Sequence, residues 1–272
     1  MRTLLQRKSA RLGFTIVAVL LVLVALGPLV VHYDPNASNP AIADSPPSLA
    51  HPLGTEYLGR DVLSQLVFGA QSSLFVGVGG ALGAVVIGAI IGVFAGYFRR
   101  LEGLLTGFTD VVMIFPAVPL VVLLGTLRPV DDAYLVLILS VVLWPPIARS
   151  IRSQVLSVKE LPYVEVAKMS GMGDLEIISK VVFPTVAAIV FAYFVLTVAA
   201  CVILVTGLEF IGVGNPDVVS WGSMIYWAQQ FGFYSGDWWW ILAPGVVITL
   251  FTVGLALIGY SIEEVMNPRL RV

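Results

Sequence analysis

Long apolar stretches separated by shorter polar segments run through this chain of 272 residues. Six of the stretches reach, or come close to, the roughly 20 residues that cross about 30 Å of hydrocarbon as a helix. They lie approximately at 13–31, 73–97, 109–127, 133–148, 185–207 and 239–260. The fourth is the shortest because we end it soon after Trp144-Pro145-Pro146. This pattern predicts an all-α membrane protein with six transmembrane helices.

The composition indicates the same class of protein. Hydrophobic residues make up 58% of the chain and charged residues 12%, with a mean hydropathy of +0.95. Soluble domains usually contain about a quarter of charged residues. The net charge of −2 indicates neither a nucleic-acid partner nor an acidic one. The single cysteine, Cys201, excludes a disulfide framework, and we expect it to be a small packing residue.

The basic residues are distributed unevenly between the two sides of the predicted spans. Only Arg60 and Arg128 fall on one side. The other side carries Arg2, Arg7, Lys8, Arg11, Arg99, Arg100, Arg149, Arg152, Lys159, Lys168, Lys180, Arg269 and Arg271. Because lysine and arginine accumulate in cytoplasmic loops, the chain is predicted to have both termini in the cytoplasm.

Small residues recur at every fourth position of the second predicted span. The series is Gly80, Ala84, Gly88, Gly92 and Gly96. Such a ridge lets the backbone of another helix approach closely, which is how helices associate in lipid. We therefore predict a helix-packing surface here.

Three residues are candidates for a substrate pathway. Pro116 follows Asp110 in the third span and predicts a bend there, while Glu209 lies near the outer end of the fifth span. A bent helix suits the wall of a pathway, but a kinked packing helix explains the same prolines. Ionisable residues are otherwise nearly absent from the spans, which disfavours a transporter driven by protons or sodium.

Catalytic chemistry has little support in the sequence. The only histidines, His32 and His51, lie outside the spans, and no catalytic residue or metal site is predicted. No Gly-Lys pair occurs, so the chain lacks the glycine-rich phosphate loop of nucleotide hydrolases. If ATP drives this protein, another chain must bind it.

The polar segment between Arg152 and Lys180 contains eight charged residues, including those two. Burying that many charges at about 3 kcal/mol each would cost on the order of 20 kcal/mol, so the segment is expected to stay in water. One helical face is predicted to carry Tyr163, Val166, Ala167 and Ser170.

A turn and a second helix are predicted to follow that face. Gly171 or Gly173 can end the first helix in the left-handed conformation, and Asp174 can cap a second helix that runs to Pro184. A short helix held by a rigid turn suits docking into a groove of a partner protein. A stiff connector that touches only lipid headgroups fits the pattern equally well.

Two sets of residues in this chain resemble known motifs. Glu165-Val166-Ala167, Gly171 and Val181-x-Phe183-Pro184 resemble the signature of ABC importer permeases. The second set resembles the C-type permease subunits for dipeptides, oligopeptides and nickel. It comprises His51-Pro52-Leu53-Gly54-Thr55-Glu56, Gly59-Arg60-Asp61-Val62, Ser72-Ser73-Leu74, Phe210-Ile211-Gly212-Val213-Gly214, Ser220-Trp221-Gly222 and Asn267-Pro268-Arg269-Leu270-Arg271.

The resemblance implies a type I ABC importer permease fold and a set of partners. These are a second homologous permease, one or two cytoplasmic ATPases that bind ATP and Mg, and an extracytoplasmic substrate-binding protein. It also implies a coupling helix near 160–174 that inserts into the ATPase. The residues it assigns to that helix are Glu165, Val166, Ala167, Lys168, Ser170, Gly171 and Asp174.

We divide the chain into an N-terminal part with the first span and the outer loop (1–71), a five-helix core (72–265) and a cytoplasmic tail (266–272). Segments 32–71 and 209–237 are expected to face the side from which substrate is delivered, and Trp238, Trp239 and Trp240 to form an interfacial belt. Peptides are the expected cargo by their frequency in the family. A nickel complex, glutathione, another small solute or a channel or scaffold without an ATPase remain alternatives.

Overall fold

The computed structural model describes residues 7–127, 130–232 and 236–266, and within those ranges the regular structure is helical. We number nine helices in chain order. They are α1 Lys8–Val30, α2 Val62–Tyr97, α3 Arg99–Ile114, α4 Ala117–Gly125, α5 Asp132–Lys159, α6 Pro162–Met169, α7 Asp174–Phe210, α8 Trp221–Trp227 and α9 Trp238–Met266. Arg2, Arg128 and the motif 267–271 lie outside the described residues.

Helices α1, α2, α5, α7 and α9 are each long and apolar enough to cross a membrane. Helices α3 and α4 pass the same test together but are bent by 74° at the break between them. The described part of the chain therefore holds five candidate spans, or six if the bent pair counts as one. The bend predicted at Pro116 is confirmed, because Pro116 precedes the first residue of α4 with extended backbone angles.

Two predicted boundaries are wrong for identifiable reasons. Helix α2 begins at Val62 and not near residue 73, because the Asp61 carboxylate accepts the Ser64 backbone N–H at 2.7 Å and caps the helix earlier. Helix α5 continues through Pro145 and Pro146 to Lys159. Packing of α2 on either side of these prolines supports the helix where two backbone N–H donors are missing.

The predicted short helix to Pro184 and the fifth span form one continuous helix, α7, of 37 residues. The turn at Ile178–Val182 is π-helical, wider than an α-helical turn. A proline ring normally clashes with the carbonyl four residues earlier, and a wide turn relieves that clash. Pro184 is therefore accommodated inside α7 and does not end it.

The packing ridge of α2 lies directly against α5. A Cβ atom added at Gly80, Gly88, Gly92 or Gly96 would come within 3 Å of an atom of α5. Each of these glycines faces the residue 59 positions later, namely Leu139, Ile147, Ile151 and Val155. Ala84, the fifth member, is fully buried. The constant offset means that α2 and α5 run parallel and in register.

The bundle has two ends, which we name by their contents. The α6 end holds Tyr97, Lys159 and α6, and the loop end holds segments 32–61, 211–232 and 236–237. At the α6 end the first turn of α1 meets the last turns of α9, since Ser9 and Ser261 hydroxyls lie 3.1 Å apart and Arg7 pairs with Glu264. The described termini therefore lie on the same side as α6.

The ridge leads to a test of packing. We expect Gly92→Ala to lower the stability of the purified protein by about 1–3 kcal/mol, because its Cβ would lie 2.6 Å from the Ala148 carbonyl oxygen. Gly245→Ala in α9 is the control, since no atom lies within 4 Å of that position and helix propensity favours alanine. Thermal unfolding in detergent measures both, and an unchanged melting temperature for Gly92→Ala would contradict the packing assignment.

Candidate functional site

Helix α6 is a short helix whose two ends are both stabilised. Pro162 occupies the first helical position, Glu165 lies in the first turn and Lys168 in the last, which suits the helix dipole. Beyond the helix, Gly171 adopts φ +81° and donates to the Lys168 carbonyl at 3.0 Å. Met172 donates to the Ala167 carbonyl at 3.2 Å. These two bonds form a Schellman motif, so the predicted left-handed stop at Gly171 is confirmed.

The inner side of α6 is fastened to three other helices. Val164 and Ala167 pack in a buried cluster with Val158 of α5 and Ile177 of α7. The Tyr97 hydroxyl at the end of α2 donates to Asp174 at 2.9 Å. The Lys168 ammonium lies over the Tyr97 ring at 5.3 Å, a cation–π distance.

Helix α5 is tied to α2 at the same end of the bundle. The Lys159 ammonium donates to the Gly96 carbonyl at 2.8 Å. Because Gly96 and Tyr97 are adjacent, α2, α5, α6 and α7 meet at one point. A force applied to α6 therefore reaches three long helices directly.

The outer side of α6 presents apolar side chains to solvent. Val166 is 60% exposed and Met169 82%, and Tyr163 and Leu175 are also exposed. Glu165, Lys168, Ser170 and Gly171 share this open surface. The predicted face was partly wrong, because Ala167 is only 8% exposed and belongs to the inner side.

Asp174 does not cap α7 as predicted. Gly173 occupies the N-cap position and makes no side-chain hydrogen bond, while Asp174 is the first helical residue. The carboxylate instead accepts the Tyr97 hydroxyl. Asp174 therefore joins α7 to α2.

Two ion pairs link α3 to α5 near the α6 end. Arg149 and Asp110 are joined at 2.6 Å, and Arg152 and Glu102 at 2.5 Å. The two acidic residues are eight positions apart on α3, whereas their arginine partners are only three positions apart on α5. Because the spacings differ, α3 crosses α5 at an angle. A cavity of about 190 Å³ lies beside these pairs, with Thr106 in its wall.

Glu209 lies at the loop end and so is far from Asp110 along the bundle. The residue is 9% exposed, and its carboxylate accepts the Ser220 hydroxyl at 2.7 Å and the Gly222 backbone N–H. Cβ atoms at Gly214 and Gly222 would come within 3.0 Å of the Glu209 side chain. The segments 210–214 and 220–222, noticed in the sequence only as a resemblance, therefore wrap around one buried carboxylate.

The loop before α2 is ordered by its own polar residues. The Asp61 carboxylate that caps α2 also lies 2.9 Å from the His51 Nδ1 atom. The buried Glu56 carboxylate accepts the Arg60 backbone N–H at 3.1 Å. A Cβ at Gly59 would lie 1.9 Å from the Asn39 carbonyl oxygen, and φ there is +73°. These structural roles were not predicted from the sequence, although residues 51–62 had been identified there as part of a family motif.

The loop is also fastened to the start of α9. The Trp239 indole donates to the Thr55 carbonyl at 3.3 Å. Trp240 is only 1% exposed and stacks on Tyr57, so the predicted interfacial belt at Trp238, Trp239 and Trp240 is wrong for Trp240. Asp44 and Asp237 share a side-chain hydrogen bond, and burial together with Asp237 raises the pKa of Asp44.

Comparisons with known proteins agree along the whole chain. Residues 84–272 match the family described as "Binding-protein-dependent transport system inner membrane component". Residues 1–52 match the family described as "N-terminal TM domain of oligopeptide transport permease C".

Individual relatives also match over nearly their full length. A putative peptide transport system permease protein of Brucella suis is 33% identical over 100% of this chain and 91% of its own. A dipeptide transport system permease protein of Bacillus subtilis is 32% identical over 99% of this chain and 85% of its own. An oligopeptide transport system permease protein of the same organism is 27% identical, over 97% and 87%.

The bond between α2 and α7, against which α6 packs, can be tested at Tyr97. Tyr97→Phe keeps the ring under Lys168 but removes the hydrogen bond to Asp174, with an expected loss of about 1 kcal/mol. Amide hydrogen exchange in α6 should become about fivefold faster. Tyr260→Phe, at an exposed tyrosine, is the control. Exchange in α6 that is the same in both variants would show that the bond between α2 and α7 does not stabilise α6.

The acidic contact of the outer loop predicts a pH dependence. Because the pKa of Asp44 is raised above its ordinary value of 3.8, the folded loop binds a proton more tightly than the unfolded loop. The contact between the loop and the start of α9 should therefore become less stable as the pH rises from 3.8 to the raised pKa of Asp44. Asp44→Asn should reduce this slope and slow hydrogen exchange in 39–59 at pH 8. If the pH dependence of the loop's stability were the same in Asp44→Asn as in the parent protein, another titratable group would be responsible for it.

Proposed function

This chain belongs to the family of binding-protein-dependent transport system inner membrane components, and we propose that it forms half of the pathway of an ATP-driven peptide importer. It is a multi-pass protein of the cytoplasmic membrane. The observation that carries the proposal is the exposed apolar surface of α6, whose inner side packs against α2, α5 and α7. Such a surface suits the reception of force from a partner.

The proposed arrangement has six spans, with α3 and α4 counted as one broken span. Both termini and α6 face the cytoplasm. This orientation is supported by the excess of lysine and arginine at the α6 end and by the contacts of α1 with the last turns of α9. The loop end then faces the side from which a binding protein delivers substrate.

In this proposal α6 docks into a cleft of a cytoplasmic ATPase. Val166 and Met169 supply apolar contact, and Glu165, Ser170 and Gly171 surround them. Ala167 contributes from the inside, because a larger side chain there would push α6 away from α7. ATP and Mg bind to the ATPase, since the sequence offers no phosphate loop, and this chain has no catalytic role.

Closure of the ATPases would move α6, and α6 would carry the ends of α2, α5 and α7 with it. The ion pairs of Asp110 and Glu102 couple the broken span to α5 at the same level. Reorientation of these helices around the break at Pro116 changes access to a pathway shared with a second permease chain. The driving force is differential binding of the ATPases to the two arrangements.

Peptides are the proposed cargo because relatives that cover the whole chain are named as peptide, dipeptide and oligopeptide permeases. The complete importer would contain two permeases, one or two ATPases and a separate substrate-binding protein. Purification of the chain in mild detergent should recover these partners. A chain that purifies alone and conducts solute without ATP would instead indicate a channel or scaffold.

The docking surface is tested with two variants. Met169→Glu places a charge in the apolar contact, and Gly171→Val strains a turn held at φ +81°, by about 1–2 kcal/mol. Both should insert into the membrane normally but lower the co-purified ATPase about tenfold or uncouple hydrolysis from transport. Leu49→Glu, at an exposed leucine of the outer loop, is the control. Unchanged substrate-stimulated hydrolysis in both α6 variants would overturn the docking role.

The cargo is tested by uptake into proteoliposomes that contain the whole complex and its binding protein. Labelled dipeptides and oligopeptides should enter in an ATP-dependent manner. If glutathione or a nickel complex were taken up instead of peptides, the protein would still be part of an ATP-driven importer, but the proposed substrate would be wrong.

A further inference from the structure

Two neighbouring cavities open at the loop end. One, of about 280 Å³, is lined by Glu209, Tyr226 and Trp227 among others. The second, of about 310 Å³, is lined by Tyr57, Arg60 and Asp217 among others, and Arg60 there is paired with Glu56. Pro216, Ser223 and Trp227 belong to the walls of both, so the two are chambers of one cleft. Their combined size lies in the range of sites for small ligands.

The charge of Glu209 has no cationic counterpart among the described residues. The groups that donate to its carboxylate are a hydroxyl and a backbone amide, both neutral. The charged side chain that acts on it electrostatically is another carboxylate, that of Asp132. A buried carboxylate without an ion partner is costly unless it takes up a proton or a cation binds there. The chamber is therefore complementary to a positive charge.

The chemistry of the wall favours an ammonium group over a metal ion. Calcium and magnesium need six or more oxygen ligands, usually with several carboxylates, whereas an ammonium needs about three acceptors. Aromatic rings add further attraction for an organic cation, and the rings of Tyr226 and Trp227 lie edge to face with centroids 5.0 Å apart and an interplanar angle of 71°. Gly214 and Gly222 lie closer to the Glu209 side chain than a residue with a Cβ atom could, so the wall of the chamber is backbone at these two positions.

We propose that the Glu209 chamber binds the α-ammonium group of an incoming peptide and that the adjoining chamber receives the rest of it. This inference rests on the proposed function as a peptide permease. Every unblocked peptide carries this ammonium group, whatever its side chains. The site would therefore orient peptides with the amino terminus first without selecting among their sequences.

The test uses the complete complex in nanodiscs, without binding protein. A photoreactive benzoylphenylalanine replaces Asn215, which lines the chamber, and is cross-linked to a radiolabelled dipeptide. Glu209→Gln keeps an oxygen that can accept from Ser220 and Gly222 but removes the charge. Labelling should fall about tenfold, as for loss of one charge-assisted hydrogen bond. Glu263→Gln, in the last turns of α9, should label like the parent.

Competition by unlabelled ligands separates recognition from folding. An excess of the dipeptide should compete at least tenfold better than its des-amino analogue in the parent, and about equally well in Glu209→Gln. Equal competition in the parent, or undiminished labelling of Glu209→Gln, would overturn the ammonium site. Failure of the wild-type complex with its binding protein to import any peptide would overturn the proposed function, and the ammonium site with it.

Discussion

The close contact between α2 and α5 is the interaction on which the rest of the structure depends. The glycines of the α2 ridge have no side chain. At these positions α5 therefore lies closer to the α2 backbone than a Cβ atom would allow. In lipid there is little hydrophobic force between helices, so this close packing supplies much of the attraction. The contact brings the end of α2 beside the end of α5 and creates the place where α6 is held.

The same helix organises the opposite end of the bundle. Ser73 accepts the backbone N–H of Trp221 at 3.0 Å, and the Trp221 indole donates to the Leu66 carbonyl at 3.0 Å. These bonds fix the start of α8, and α8 in turn presents Ser220 and Gly222 to Glu209. A single helix of 36 residues thus positions both the exposed surface of α6 and the Glu209 chamber.

Much of the fold could be predicted from the sequence, because apolar length and four-residue spacing are local signals. The spans, the ridge of α2, the bend at Pro116 and the stop at Gly171 are examples. Boundaries failed where distant residues decide them: neighbouring packing supports Pro145 and Pro146, and a π-helical turn accommodates Pro184. The same cause turned Ala167 inward and drew Asp174 to Tyr97, since neither partner is near in sequence.

The candidate site at Glu209 was only half visible in the sequence. Glu209 is a single acidic residue in an apolar span, which made it a candidate. The sequence pattern does not indicate that segments 210–214 and 220–222 fold back around it. This folding back depends on the turn after α7, in which the Gly212 N–H donates to the Glu209 carbonyl at 2.9 Å and Gly212 adopts φ +84°. The turn returns the chain to its own helix and makes the chamber.

The constant offset of 59 positions between α2 and α5 has a mechanical consequence. The ridge repeats every four residues, so α5 could slide along α2 into an equivalent fit only in steps of about 6 Å. Any smaller slide would drive side chains of α5 into the backbone of α2. We therefore expect the pair to move as one rigid unit, with conformational change taken up at its borders with α3, α7 and the proposed second permease chain.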